Sequence, residues 1–418
     1  MLLTALGLLS LAIWLYLVFG RGRFWRAAER DDRGAPVAGP QAWPSVTAVV
    51  PARDEADVIA RSIGSLLAQD YPGAFRVILV DDQSADGTAE AARKAARDLG
   101  ASDRLEVLAG RPLPKGWTGK LWALSQGVER ACQGPAPDHL LLTDADVGHA
   151  PGNLRGLAAR AEAGRLVLTT QMVRLHCRTA PERLLIPAFV FFFQMLFPFA
   201  WVNDPGRPMA AGAGGCMLVR REALEAIGGI AAVKAEIIDD CALAARLKAQ
   251  GPIWLGLTLR AESLRPYATL EEIGRMISRS AYAQLGYSPW LLAGTLLGMA
   301  ITYLAPPILA LAGDGWARLA GVAAWLLMAI AFQPTLRLYR RSPLWGLALP
   351  LIGALYSLFT LQSAIQVWQG RGGQWKGRAQ AQADRSGPMP EHRSVVRSAS
   401  LEESSCETTV SHDGAKVS

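Results

Sequence analysis

His139-Leu140-Leu141-Leu142-Thr143-Asp144-Ala145-Asp146 is an apolar run that ends in two acids one residue apart. A run this short and this apolar reads as a buried strand. The acids then stand at its C-terminal end. Arg76-Val77-Ile78-Leu79-Val80-Asp81-Asp82 repeats the pattern upstream, and Val46-Thr47-Ala48-Val49-Val50 leads into Pro51-Ala52-Arg53-Asp54-Glu55. In open α/β sheets, ligands bind at the carboxyl ends of the strands. Carboxylates clustered there suit a divalent cation that holds phosphates, with one acid left as a base. A third pair, Asp239-Asp240, opens the helix-like stretch 241–248.

Between the strands the pattern turns helical. Val58, Ile59, Ile63, Leu66 and Leu67 fall on one face of a helix over 55–69. An Ala-rich helix follows over 88–99, a short strand over 105–108 and a helix over 121–131. The alternation of strand and helix implies an α/β fold with a mostly parallel sheet covered by helices.

Each motif has a plainer reading beside the chemical one. Val50 to Glu55 offers backbone amides and a helix N-terminus to a nucleotide, or is an ordinary βα turn with capping acids. Asp86-Gly87-Thr88 reads as a helix cap, whereas Asp81 and Asp82 at the strand end suit a base N–H or ribose hydroxyls. Gly116-Trp117-Thr118-Gly119-Lys120 falls short of a phosphate loop because Leu121 follows the lysine. Lys120 is then either a phosphate contact or a surface lysine. Gly212-Ala213-Gly214-Gly215 before Cys216 lets a ligand approach the backbone, or is a turn with a bulge. Asp240 is either an N-cap or a general base for an acceptor hydroxyl.

The two ends of the chain are apolar. Residues 2–19 carry no charge, and Arg21, Arg23 and Arg26 follow, which predicts a membrane anchor over 1–20 with its C-terminal end in the cytoplasm. A linker over 21–44 leads to a catalytic domain over 45–285, and membrane helices occupy 286–370 within the apolar stretches 291–312, 316–332 and 344–368. The apolar run 184–202 is expected to lie in the membrane interface, because a crossing there would separate Asp239 and Asp240 from Asp144. Counting crossings puts the C-terminus outside, yet Arg371, Lys376 and Arg378 follow the last stretch, against the positive-inside rule. One stretch is then re-entrant, with Pro306-Pro307 pointing to the first of the three, or the rule fails. The tail over 371–418 is polar and reads as disordered.

Of 418 residues, 51% are hydrophobic and the formal net charge is +7, a balance that fits a membrane protein with basic flanks. No nucleic-acid-binding motif is present, and nucleic acid is excluded as a partner. The five cysteines, Cys132, Cys177, Cys216, Cys241 and Cys406, form no Cys-x-x-Cys pair, which argues against structural zinc and a disulfide framework.

Five motifs stand in order: Val50 to Glu55; Val80-Asp81-Asp82 with Ser84; Gly119-Lys120 with Ala123-Leu124; Asp144-Ala145-Asp146; and Asp239-Asp240 with Leu243 and Arg246-Leu247. Together they resemble the family 2 glycosyltransferases of GT-A fold, over about residues 45–284. The anchor, the C-terminal helices and Gln374-Trp375-Lys376-Gly377-Arg378 look most like the hopanoid-biosynthesis-associated members. Ceramide and carotenoid glycosyltransferases are close alternatives. The resemblance implies a GT-A nucleotide-diphospho-sugar transferase fold with transmembrane helices at both ends. It implies that Pro51, Arg53, Asp54, Glu55, Asp81, Asp82, Lys120, Asp144 and Arg279 meet a nucleotide-sugar donor, with a UDP-sugar the first expectation. Asp146 with Asp144 would hold Mg2+ or Mn2+, and Asp240, with Asp239 beside it, would be the base. The acceptor would be a lipid hydroxyl, on a hopanoid or similar polyprenoid. The place would be the inner membrane, with the catalytic domain cytoplasmic. Two departures stand out. Asp239 replaces the usual Glu and is shorter by one methylene. Met276-Ile277-Ser278-Arg279-Ser280 replaces the Gln/Arg-x-x-Arg-Trp signature of processive synthases, which favours transfer of a single sugar. A processive polysaccharide synthase and an inactive membrane scaffold remain the alternatives.

Overall fold

The computed structural model describes residues 1–33 and 37–371, with the backbone of 374–375 and 378–379. Eight strands, β1 Val46–Ala52, β2 Phe75–Asp81, β3 Leu105–Ala109, β4 His139–Thr143, β5 Val147–His149, β6 Leu168–Arg174, β7 Cys216–Arg220 and β8 Ile253–Ser263, form one sheet. Their order is β3-β2-β1-β4-β7-β6-β8-β5. Every residue of β1 and β4 is buried, so both faces of the sheet centre are covered. On one side the helix Gly119–Ala131 packs so closely that a Cβ on Gly127 would lie 2.3 Å from a methyl of Val49.

The half of the sheet from β3 to β4 is parallel throughout, as the sequence pattern implies. The other half is mixed, although six of the eight strands still run the same way, in keeping with the expected mostly parallel sheet. β7 runs antiparallel to both β4 and β6, β8 is parallel to β6, and β5 is antiparallel to β8. The cause is local. After β4 the chain turns at once through Asp144-Ala145-Asp146 into the short edge strand β5, with no crossover helix to bring it back parallel. The helix foreseen over 55–69 begins only at Ile59, because Thr88 Oγ1 and Asp86 accept the amides of Glu55 and Ala56 at 2.9 Å each. These bonds fasten the chain after β1 to the turn after β2.

The apolar run foreseen over 184–202 is the helix Ala180–Leu196 followed by Phe199–Val202. It is buried inside the protein on two faces. Ile186 and Val190 belong to the core under the sheet, while Leu185, Ala188, Phe191 and Phe192 belong to the core of the helical part. Phe191 meets Phe332 at 5.1 Å, and Phe192 meets Tyr303 at 5.6 Å and Tyr356 at 4.7 Å.

Among the described residues four helical segments are long and apolar enough to cross a membrane: Leu2–Gly20, Pro289–Ala312, Gly315–Leu338 and Pro343–Trp368. The first and third run side by side in the same direction. Gly7 abuts Ala317 and Ala320, and Trp14 and Phe24 share a core with Ala324, Met328 and Phe332. Pro289–Ala312 runs the opposite way through a π-helical turn at Ala300–Leu304, where Ser10 Oγ and Trp14 Nε1 donate to the carbonyls of Ile301 and Thr302. Pro306-Pro307 follows this turn and does not reverse the chain.

The segment that turns back is the last one. Its start lies beside the end of the third segment, with Gln333 Nε2 donating to Pro343 O at 3.1 Å. It then descends to Trp325, whose Nε1 donates to Leu347 O at 3.3 Å. From Gly353, which packs on Tyr303, it climbs again past Leu185 and Gly274 to Ser278. Its end meets Tyr282, whose amide donates to Ser363 Oγ at 3.0 Å and whose ring lies 5.9 Å from that of Trp368. Both ends of Pro343–Trp368 therefore stand at the end of the bundle that faces the sheet. Of the tail foreseen over 371–418, Arg371 and the backbone pair Gln374–Trp375 with Arg378–Ala379 are described. The remainder, with Cys406 and the side chains of the motif 374–378, lies outside the described residues.

Candidate active site

The parallel register brings the strand ends level. Pro51 pairs with Val80 and Ala52 with Asp81, while Val49 pairs with Leu142 one residue before β4 ends. The three loops that follow β1, β2 and β4 therefore share one edge. β7, running the other way, starts there too, with Cys216 opposite Thr143. Its glycine approach, residues 212–215, faces the loop after β4.

The first two loops are tied to each other. The Asp54 amide donates to Ser84 Oγ at 3.0 Å, and the Ala85 amide returns a bond to Asp54 Oδ1 at 2.9 Å. Asp54 holds φ +50°, a left-handed conformation that few non-glycine residues adopt. Arg53 donates to the carbonyl of Asp82 at 2.6 Å, and its guanidinium stands 3.9 Å from the carboxylate of fully buried Asp82. Asp81 Oδ1 accepts the Ser84 amide at 3.0 Å. Pro51, Arg53, Asp54, Asp81 and Asp82 are thus gathered in one pair of loops.

Lys120 joins the other motifs. Thr118 caps the helix Gly119–Ala131 and sets the lysine on its first turn. Nζ lies 2.9 Å from Asp144 and 3.4 Å from Asp239. It is the cation of an acid cluster and not a surface lysine. Asp240 stands on the same helix start as Asp239, Asp239–Lys248, and its carboxylate accepts the Gly214 amide at 2.9 Å and its neighbour Cys241's amide at 2.8 Å. Gly214 leaves this approach open: a Cβ would lie 3.2 Å from Lys120 Nζ, close enough to make the lysine end shift, and 3.5 Å from Asp240. Pro51, Lys120, Asp144, Gly214, Asp239 and Asp240 line one narrow cleft.

Charge in this cleft is balanced by few partners. Burial, and Asp239 after it, push the Asp240 carboxyl up to about 6, against Lys120 and the two amides. Burial likewise raises Asp144, against the pull of Lys120. Burial works against the Lys120 ammonium, but Asp144, Asp239 and Asp240 hold it above its ordinary value. The group at Asp240 is thus a carboxylate whose proton affinity has moved toward neutrality, as a general base requires.

The second acid of the loop after β4 has a different cation. Asp146 Oδ2 lies 3.1 Å from Arg265 Nε, and the same guanidinium pairs with Glu55. The Leu264 amide donates to the Asp146 carbonyl at 2.7 Å, which seats the end of β8 against this loop. Arg265 was not among the residues singled out from sequence. Its only signal there is a basic residue just past a strand whose apolar pattern is broken. Arg279, by contrast, is exposed at the end of the helix Leu270–Ser278 and makes no ion pair with the acids among the described residues. The arginine that pairs with Asp146 and Glu55 is Arg265.

Below the acids lies a neutral polar chain. Thr143 Oγ1 donates to Gly215 O at 2.7 Å and meets His149 Nε2 at 3.0 Å, and Asn153 Nδ2 meets His149 Nδ1 at 3.0 Å. Burial pushes His149 down to about 4, so the ring is neutral at physiological pH. It donates from Nε2 and accepts at Nδ1, which fixes β5 and the acid loop to the glycine approach.

Two comparisons bear on this arrangement. Residues 47–228 match the family model described as Glycosyl transferase family 2. Among solved structures, the chain is similar to the mannosyltransferase PcManGT from Pyrobaculum calidifontis, solved with GDP-Man and Mn2+, at 20% identity and a TM-score of 0.51, covering 88% of this chain and 99% of that one. It is also matched to mannosyl-3-phosphoglycerate synthase from Rubrobacter xylanophilus, at 17% identity and a TM-score of 0.37, over 63% of this chain and 83% of that one. No curated protein matches in sequence. The first of these structures agrees with the sheet described above. Over residues 47–228 the chain is thus similar to the family 2 glycosyltransferases, its fold is a mixed-sheet GT-A fold, and its enzyme class is glycosyltransferase.

Proposed function

We propose that the protein transfers one sugar from a nucleotide-sugar donor to the hydroxyl of a membrane lipid, a hopanoid or similar polyprenoid, with inversion at the anomeric carbon. The observation that carries this reading is Lys120, which stands between Asp144 of the strand-end pair and Asp239 beside Asp240. A single side chain thus links Asp144 to the Asp239–Asp240 pair, which supports reading one as part of a diphosphate-binding edge and the other as the base. The loops holding Asp54, Asp81 and Asp82 take the nucleoside. Asp240, held by the amides of Gly214 and Cys241, takes the proton of the acceptor hydroxyl as its oxygen attacks, and the nucleoside diphosphate leaves.

A divalent ion, Mg2+ or Mn2+, fits the carboxylates of Asp144 and Asp146. Among the described residues no group of three or more His, Cys, Asp or Glu is poised to hold a metal alone. Ions of this kind take one or two protein carboxylates and complete their shell with substrate phosphates and water. The bound ion would neutralise the departing diphosphate. With Asp144 and Asp146 holding the ion, Lys120 and Arg265, which now pair with these acids, would face the phosphates. The mannosyltransferase of similar fold was solved with both GDP-Man and Mn2+. Donor binding is therefore expected to need the metal. Titrating the detergent-solubilised protein with UDP- and GDP-sugars should show affinity falling at least about 10-fold in chelator, and likewise in Asp146→Asn. Equal affinity with and without metal would count against this donor site.

The lipid acceptor is supported by the four apolar segments and by the burial of Ala180–Leu196 between the sheet and the helical bundle. The return of Pro343–Trp368 makes three crossings and one re-entrant segment. On this reading Arg340, Arg341 and Arg371 share one side, taken as the cytoplasmic side with the catalytic domain, in accord with the positive-inside rule. Single cysteines at Ser342, Gly370 and Asp314 in a cysteine-free background test it. A membrane-impermeant thiol reagent applied to oriented inner-membrane vesicles should label Ser342→Cys and Gly370→Cys from one face and Asp314→Cys from the other. Labelling of Gly370→Cys together with Asp314→Cys would show that the last segment crosses.

A further inference from the structure

A second cavity, of about 480 Å³, lies outside the acid cluster. Its walls are the loop after β6, from Arg174 to Arg178; the end of β8 and its continuation, Glu262 to Leu264 with Pro266; Arg61 of the helix Ile59–Leu67; and Tyr339, Arg340 and Arg341, which follow the third apolar helix. Five arginines line it against one carboxylate, Glu262. That carboxylate is taken by Arg174 at 2.5 Å. Arg61, Arg178, Arg340 and Arg341 have no carboxylate within ion-pair distance among the described residues.

Basic residues after a membrane helix are commonplace and are usually spread in solvent. Here they converge on a concave site with fixed walls. Glu182, fully buried, accepts the amides of Arg178 at 2.7 Å, Thr179 at 2.9 Å and Tyr267 at 2.6 Å, and holds His176 Nδ1 at 2.7 Å. This locks the loop that carries Arg178. The Leu175 amide donates to the Tyr339 hydroxyl at 3.3 Å, which fastens the same loop to the end of the apolar helix. Arg341 Nε donates to Tyr339 O at 2.8 Å, and guanidinium groups that line a cavity with no carboxylate partner match the oxygens of a phosphate, which they bind in bidentate fashion. The cavity has the size of a small-ligand site.

We propose that this cavity binds the phosphate of an anionic membrane lipid, with the headgroup among Arg178, Arg340 and Arg341 and the acyl chains along the apolar surface of Gly315–Leu338. The site is separate from the acid cluster, whose cations are Lys120 and Arg265. The lipid is a bound component and does not react. The assignment rests on the membrane placement proposed above and not on glycosyl transfer, so loss of transfer in any variant leaves it untouched.

The test uses the full chain reconstituted in nanodiscs of mixed phosphatidylglycerol and phosphatidylcholine, then extracted into detergent, with the retained lipid counted by native mass spectrometry. Wild-type protein is expected to keep phosphatidylglycerol well above its share of the mixture. Arg178→Gln/Arg340→Gln/Arg341→Gln should keep at least about 10-fold less, from the loss of three charges near the surface. Its thermal unfolding and its nucleotide binding should match wild type. Should the triple variant fail to fold, Arg340→Gln alone, whose side chain is exposed, should still lower retention several-fold. Millimolar inorganic phosphate should leave the lipid in place. Retention of both lipids in proportion to the mixture, or unchanged retention in the folded variants, would overturn the proposal. Full displacement by inorganic phosphate would do so as well, by assigning the cavity to a soluble phosphate.

Discussion

Asp240→Asn is expected to lower sugar transfer by on the order of 10²–10⁴-fold while nucleotide-sugar binding changes little, the range that general-base removal usually costs. The amide keeps the size of the carboxylate and one of its acceptor atoms, so the Gly214 or Cys241 amide keeps a partner. What is lost is the site for the acceptor proton. The pH profile should carry the same signature. With Asp240 pushed up to about 6 by burial and by Asp239, kcat/KM should fall as the pH drops through about 6, and this limb belongs to the Asp239–Asp240 pair as a unit. The linkage sign gives an independent control. The folded-state value lies above the ordinary 3.8, so the fold binds a proton there more tightly than the unfolded chain does. Asp240 therefore favours the fold most below about 3.8, and this contribution is lost as the pH rises through about 6. At neutral pH its charge is a burden, and Asp240→Asn should unfold no earlier than wild type. A variant that loses transfer and also melts well below wild type would mean that Asp240 is structural.

The second large effect falls on stability. Glu182→Ala should cost about 3–5 kcal/mol, the usual price of removing one partner from a buried charged network. Glu182 is 0% exposed and is the common acceptor for three backbone amides and the His176 ring. Its loss would leave those donors without an acceptor inside the protein. It would also release the turn at Tyr267 from the start of Ala180–Leu196. For a chain of this size the melting temperature should fall by roughly 3–6 °C, and Glu182→Gln should recover part of it. The pH dependence runs opposite to that of Asp240. Burial pushes the Glu182 carboxyl up, but the amides of Thr179, Tyr267 and Arg178 and the His176 ring bring it down to about 2. A depressed carboxyl contributes stability that is complete above its unfolded value of about 4.5 and fades as the pH falls toward 2. Unfolding scans from pH 7 to 3 should show wild type losing more stability than Glu182→Ala. A melting temperature within about 2 °C of wild type would contradict this role.

The first half of the sheet could be read from sequence because its strands are unbroken apolar runs. Those over 46–50, 76–80 and 139–143 differ from the observed strands by no more than two residues at any end. β6 and β8 escaped notice because polar residues interrupt them. Thr169, Thr170 and Gln171 are buried in β6, and their fitness for a core is visible only in three dimensions: Thr170 exchanges bonds with Ala213, and Gln171 reaches Asp31 at 2.9 Å. Arg265 was missed for the same reason, since it follows β8. Arg279 was expected there on the strength of a motif position, and it makes no ion pair with the acids among the described residues. Lys120 was left open between a phosphate contact and a surface residue. Periodicity places it on a first turn, but only the packing of two helix starts against one strand end brings Asp144 and Asp239 to either side of it. The conflict over the C-terminal charges likewise had no solution in sequence, because a segment of 26 residues that turns back, as proposed for Pro343–Trp368, has the composition of a crossing one.

Membranes containing the protein, supplied with Mg2+ or Mn2+, a panel of labelled nucleotide sugars and extracted hopanoid and other polyprenoid lipids, allow the central claim to be read by mass spectrometry of the lipid phase. A single added hexose on one lipid, present with wild type and absent with Asp240→Asn, is the predicted result. A water-soluble polymer in place of a glycolipid, or an equal yield from Asp240→Asn, would contradict it.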